Sequence, residues 1–266
     1  MWILILIVLA VVVYFVMSQA SSSNQSSKVS SRTQATKASS QNYANQVDYS
    51  NLEVSLESSL PTRYNYTRLR DLLAEGKWRE ADEETGKMML AVGYVATEKK
   101  VRDGEWTHSD PSEESLDFLH CMYFPCADLC TIDRLWVKYS NGRFGFSVQK
   151  RIMSELGEDT ISFLCNRLNH SSYQERQKNT ELTTSFQRRI GWYNPDSKDS
   201  AGRFNMNSKT YNDLTFSMQA PYGHLPTVHY WKEGAMTNGS FETQPLYDGY
   251  NLAQLLNRLS SCGIAL

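Results

Sequence analysis

The amino-acid sequence predicts a mostly or wholly α-helical domain, and three observations carry that prediction. Leu69, Leu72 and Leu73 recur at helical spacing, as do Ile132, Leu135, Trp136 and Tyr139, and again Leu252, Leu255, Leu256 and Leu259. The first two stripes end on turn signals, Gly76 and Asn141-Gly142. No segment shows a convincing alternation of period two.

The elements follow in order. Residues 64–94 read as a helical hairpin with Gly76 at the corner, its second stripe formed by Trp78, Ala81, Thr85, Met88 and Met89. Asp82, Glu83 and Glu84 spread over too wide an arc to hold a metal and read as a solvated face. Residues 98–115 are charged, contain Gly104 and Pro111, and read as a loop. Pro125 starts or precedes the next helix. Phe144 and Phe146, interleaved with glycines, lead into a short helix through Ile152 and Leu156. The polar stretch 166–181 reads as an extended surface insertion. A Gly/Asn/Ser-rich loop follows, then Leu214 to Pro226, then the last amphipathic helix.

Two segments precede this domain. From Trp2 to Met17 every residue is apolar. As a helix, residues 1–20 span roughly 30 Å, which matches a bilayer's hydrocarbon core. Ser18-Gln19-Ala20 resembles a signal-peptide cleavage site. The first positive charges, Lys28, Arg32 and Lys37, however, lie after the apolar run, so a single-pass anchor is expected over a cleaved signal peptide, with its N-terminus out and the folded part cytoplasmic or stromal. Residues 21–62 are rich in Ser, Gln and Asn and read as a disordered tether, leaving 63–266 as the folded domain.

Composition narrows the function. Twenty-seven Lys plus Arg against 29 Asp plus Glu give a net charge of -2, which argues against a nucleic-acid partner. Five Cys without an even framework fit free thiols in a reducing compartment. His120, Cys121, Cys126 and Cys130 lack the spacing of a zinc site, so no metal centre is expected. Neither a phosphate-binding Gly loop nor a nucleophile elbow occurs, and no nucleophile, base and oxyanion donor assemble, so the chain reads as a non-enzyme. His224 and His229 sit in a Pro/Gly loop where a structural hydrogen bond is the simplest role.

Four segments resemble the genomes-uncoupled-four family, tetrapyrrole-binding regulators of magnesium chelatase. They are LRDLLAEGKWREADEETGKMM, FPCADLCTIDRLWVKYSNGRFGFSVQKRI, the IGW at Gly191, and LTFSMQAPYGHLP, and they cover about residues 64–231. The resemblance implies an all-α fold with a cupped apolar surface that takes protoporphyrin IX or magnesium protoporphyrin IX as ligand. It places Phe118, Cys121 and Phe124 on one bounding loop, His229 and Lys232 on another, and Leu135, Phe144 and Phe146 at the floor, with Leu214 and Phe216 beside them. One macrocycle face buried on such walls gains several kcal/mol at about 25 cal/mol per Å². Lys232 stands where the family often has Arg, which exchanges a bidentate carboxylate grip for a point charge. The large subunit of magnesium chelatase is the protein partner the resemblance implies. The alternative is a signalling or scaffold module that keeps the fold and has lost the ligand.

Overall fold

The structure, a computed structural model, describes residues 48–60, 64–105, 116–166, 172–196, 208–227 and 249–264. The apolar segment 1–20, most of the tether, His229 and Lys232 lie outside the described residues. Among the described residues no helix is long and apolar enough to cross a membrane.

The described fold is helical, as expected. In chain order come α1 (Thr67–Ala74), α2 (Trp78–Arg102), α3 (Phe118–Tyr123), α4 (Cys126–Tyr139), α5 (Phe146–Ser154), α6 (Thr160–Cys165), α7 (Tyr173–Ile190), a 3-10 turn (Tyr211–Asp213) and α8 (Gly249–Ser261). Two isolated bridges, Glu57 with Asn65 and Tyr193 with Ser208, are the β pairing among the described residues. The hairpin α1–α2 packs on α3 and α4, and α8 lies across α3, α4, α5 and α6. Trp78, Trp136 and Phe144 meet at the centre, with ring centroids 5.5 to 6.3 Å apart. The Trp136 indole N–H donates to Thr85 Oγ1 at 3.0 Å, so this large ring is buried without an orphaned donor.

Four expectations need correction. Helix α2 runs on to Arg102, because buried Ala96 and Thr97 carry its inner stripe into the segment that polarity had marked as loop. Residues 173–190 are helix α7, not an extended insertion: Ser172 and Glu175 form a capping box, and Phe186 and Ile190 are buried beneath a polar outer face. The compact unit begins at Asp48. Along residues 51–60, exposed and half-buried positions alternate, which is period two within the Ser-rich segment expected to be tether. Asp128 holds this strap by accepting from the Ser59 N–H at 3.1 Å, from the Ser59 hydroxyl and from Tyr66 O–H at 2.6 Å. Thr131 and Lys138 add bonds to the carbonyls of Ser55 and Leu52 at 3.1 and 2.8 Å. Finally, Cys126 and Cys262 are joined in a disulfide across 136 residues, where free thiols were expected.

Candidate functional site

The centre of the site is a lattice of hydrogen bonds between two stretches, residues 133–149 and 211–227. It begins with Gly145, which stands at the N-terminus of α5 with φ of 132°. A Cβ there would meet Val137 Cγ2 at 2.9 Å and Asp133 Oδ1 at 3.0 Å, so the position requires glycine. That close approach lets Asp133 of α4 cap α5, accepting from the Ser147 N–H at 2.8 Å. Burial pushes the Asp133 carboxyl up to about 6 against the pull of those N–H donors.

The second stretch is zipped onto the first. Gly145 N–H donates to Leu225 O at 3.0 Å, and Gly223 N–H donates to Arg143 O at 2.9 Å. Gln149 Nε2 reaches the carbonyls of Gly223 and Pro226 at 3.0 and 2.8 Å. The Arg143 guanidinium donates to Ala220 O at 2.8 Å and stacks 4.3 Å from the Tyr222 ring.

The IGW segment closes the lattice from α7. Gly191 takes the left-handed conformation at the helix C-terminus, and a Cβ there would strike Pro221 Cγ at 2.8 Å. Trp192 Nε1 donates to His224 O at 2.9 Å. His224 is buried: its Nδ1 lies 2.6 Å from Ile190 O, and its Nε2 accepts from the Thr215 N–H at 3.1 Å. Those two partners fix a neutral imidazole, protonated on Nδ1. Burial holds its pKa down at about 4. The structural role expected for this histidine is what the geometry shows.

Asp82 fastens the far end, and here the expectation of a solvated acidic face fails. It is fully buried and accepts from Thr227 N–H at 2.7 Å, Thr227 O–H at 2.5 Å and Tyr211 O–H at 3.1 Å. Burial is the dominant cause that pushes its carboxyl up to about 6. The signal was present in the sequence. Asp82 stands four residues after Trp78 and seven before Met89, inside the apolar stripe rather than opposite it. Asp133 and Gln149 were missed for the same reason.

The residues expected to touch a ligand divide into three groups. Phe118 and Phe216 are half-buried and present ring surface. Cys121, Phe124, Leu135, Phe144, Phe146 and Leu214 are buried. The expected floor is therefore core beneath the surface, since Phe144 spends its faces and edges on Trp78 and Trp136. Leu135 does border an open hollow of about 910 Å³ under the strap, beside Leu52, Leu56 and Tyr139. His229 and Lys232 belong to the undescribed residues. Phe216 leans on Tyr211 with centroids 5.1 Å apart, and the Arg79 guanidinium lies over both rings at 4.9 and 5.2 Å. Arg79, which sequence reasoning did not single out, thus places a part-exposed cation on an aromatic shelf.

Every motif that carried the family resemblance contributes to this lattice. A family model described as GUN4-like matches residues 59–243. The chain belongs to the GUN4-like family. Among curated relatives, it is 33% identical over 95 residues to the chloroplastic tetrapyrrole-binding protein of Arabidopsis thaliana, a match covering 36% of this chain and 31% of that one. To the Ycf53-like protein of a Synechocystis species it is 26% identical over 187 residues, covering 70% and 60% of the two chains. It therefore spans less than two thirds of the length of these curated relatives. Two solved structures are similar, each at 21% identity. They are GUN4 from Chlamydomonas reinhardtii (TM-score 0.39, covering 80% of this chain and 97% of that one) and ligand-free Arabidopsis thaliana GUN4 (TM-score 0.38, covering 72% and 93%).

Proposed function

We propose that this GUN4-like protein is a non-enzymatic tetrapyrrole-binding regulator. One observation carries the reading: the GUN4-like model covers 59–243, and the family's motif segments in that span join into one hydrogen-bonded frame. The frame fixes the backbone at Thr227, from which the chain leads to His229 and Lys232. A curated relative is named a tetrapyrrole-binding protein, which supports the ligand class.

Protoporphyrin IX or magnesium protoporphyrin IX is the ligand proposed. Phe118 and Phe216 supply ring surface, Arg79 and Lys232 supply cations for the propionates, and the buried rings of Phe124, Phe144 and Phe146 stiffen what lies beneath. The apolar segment 1–20 anchors the chain in a membrane, with the folded part on the cytoplasmic or stromal side. Stimulation of magnesium chelatase through its large subunit is the proposed consequence of ligand binding. The burial of Phe144 and Phe146 favours a second reading, a signalling module that has kept the frame and lost the ligand.

Titrating protoporphyrin IX into the full-length chain, while following tryptophan quenching and the Soret band, separates the two. Saturation well below about 100 μM supports the first reading, since an apolar surface of several hundred Å² reaches that range. No saturation there supports the second.

A further inference from the structure

Helix α8 is fastened differently from the rest of the domain. Its apolar stripe of Leu252, Leu255, Leu256 and Leu259 is buried on α3 and α6. Among the described residues its polar bonds to the rest of the domain include Arg258 Nε to Phe124 O at 2.8 Å, Gln254 Nε2 to Cys165 O at 3.2 Å, and, just past its end, Lys150 Nζ to Ile264 O at 3.2 Å. The covalent tie is Cys126–Cys262, between the first residue of α4 and the residue just after α8, with Cα atoms 5.3 Å apart. Both cysteines are half-buried, so part of each reaches solvent.

Two of the three remaining cysteine thiols are poor nucleophiles for reshuffling this bond, and the third, Cys121, is buried. Burial pushes the Cys130 thiol up and the Cys165 thiol up to about 11, so both stay protonated and weakly nucleophilic near neutral pH. Opening it falls to an external dithiol. One of its thiolates attacks a cystine sulfur and forms a mixed disulfide, releasing the other cysteine as thiolate. Its second thiol then displaces the bound sulfur, leaving Cys126 and Cys262 reduced and protonated and the reagent oxidised, with two electrons and two protons transferred.

We propose that Cys126–Cys262 is a redox-operated staple: a dithiol reductant opens it, α8 loosens from α3, and affinity for the tetrapyrrole falls. The first two steps stand on the contacts of α8. The third rests on the ligand reading above, because Phe118, Cys121 and Phe124 belong to α3 or its C-terminal edge. The bond ties the residue just after α8 to the first residue of α4, so its loss should be felt in α8 before the polar lattice.

The test is amide hydrogen exchange on the full-length chain, oxidised and then treated with dithiothreitol, beside Cys126→Ser/Cys262→Ser. Exchange in residues 249–262 should quicken by about tenfold or more on reduction, with 118–124 following. The doubly substituted chain should match the reduced protein and ignore the reagent. Should it fail to fold, the reductant titration of the unsubstituted chain decides. Equal exchange in both redox states, or a reductant response in the serine pair, overturns the staple. Protoporphyrin IX is then titrated into both redox states. A weaker Kd on reduction supports the coupling, and an equal Kd with loosened α8 overturns it. If neither state binds below about 100 μM, the ligand reading falls while the exchange result still judges the staple.

Discussion

The lattice joining residues 133–149 to 211–227 and the terminal helix α8 solve the same problem by opposite means. Both bring a distant segment back onto the core. The lattice uses buried polar partners, each oriented: Asp82, Asp133, Gln149 and His224 accept or donate at stated atoms. Helix α8 uses an apolar stripe, which is non-directional, plus one covalent tie. A polar lattice specifies a backbone path, because a shifted register leaves buried donors unpaired. An apolar stripe specifies only that a surface be covered. The family's motifs fall in the first region, where a loop end must be held in place.

The largest effect should come from breaking the lattice at its most connected atom pair. Asp82→Ala removes the carboxylate that accepts from the Thr227 N–H, the Thr227 hydroxyl and the Tyr211 hydroxyl. Unfolding free energy in urea should fall by roughly 3–5 kcal/mol. Asp82→Asn keeps part of the geometry and should lose less. A loss below about 1 kcal/mol for the alanine would show that the carboxylate is incidental. In α8, Leu256→Ala removes a fully buried side chain and should cost roughly 3 kcal/mol through the cavity it leaves. The contrast lies in where the damage appears. Exchange should quicken at 223–227 for the first variant and across 249–262 for the second.

These two regions also differ in how far the sequence disclosed them. The helices α1, α4 and α8 were legible, because Leu69/Leu72/Leu73, Ile132/Leu135/Trp136 and Leu252/Leu255/Leu256/Leu259 declare their period. Helix α7 was not, since its buried residues are few and polar ones such as Asn179, Thr183 and Gln187 share the inner face. Its Ser172-x-x-Glu175 box was the readable sign. Strap residues Leu52, Val54, Leu56 and Leu60 alternate but were masked by the Ser-rich composition around them. No local pattern could pair Cys126 with Cys262, because a contact 136 residues apart has no period. In the candidate site, the glycines and the Gly-His-Leu-Pro run were visible as family motifs. That Phe144 faces inward depends on Trp78 and Trp136 filling the space beside it, and Phe146 is buried with it, which are tertiary facts.

The pH response sharpens the comparison within the lattice itself. Asp82 and Asp133 have folded pKa values near 6, raised by burial from the ordinary 3.8. Their folded forms bind protons more tightly than the unfolded chain, so their contribution grows as pH falls from about 6 towards 4 and is lost as pH rises through 6. His224 works the other way, with a folded pKa near 4 against 6.5. Its contribution is present above 6.5 and is lost as pH falls towards 4. In wild-type stability these opposing trends cancel only in part, because two carboxyls stand against one histidine. The stability difference between wild type and His224→Gln should shrink by about 2–3 kcal/mol between pH 7 and pH 4, measured by urea denaturation. A constant difference would mean that His224 is not held neutral by its site.

The smallest effect belongs to the lattice's outer edge, where orientation still matters but solvent competes. Arg143 is half-buried and makes two contacts from one guanidinium, a hydrogen bond to Ala220 O and a stack on Tyr222. Truncation to Ala removes the half-buried guanidinium, and water can enter from the surface to take its place on the Ala220 carbonyl, so the cost should be about 1 kcal/mol. Lysine at this position reaches the carbonyl or the ring but lacks the flat fork that serves both at once, so Arg143→Lys should recover only part of the loss. If lysine restored the full value, the stack on Tyr222 would contribute nothing, and the outer edge would behave like α8, held by coverage rather than by direction.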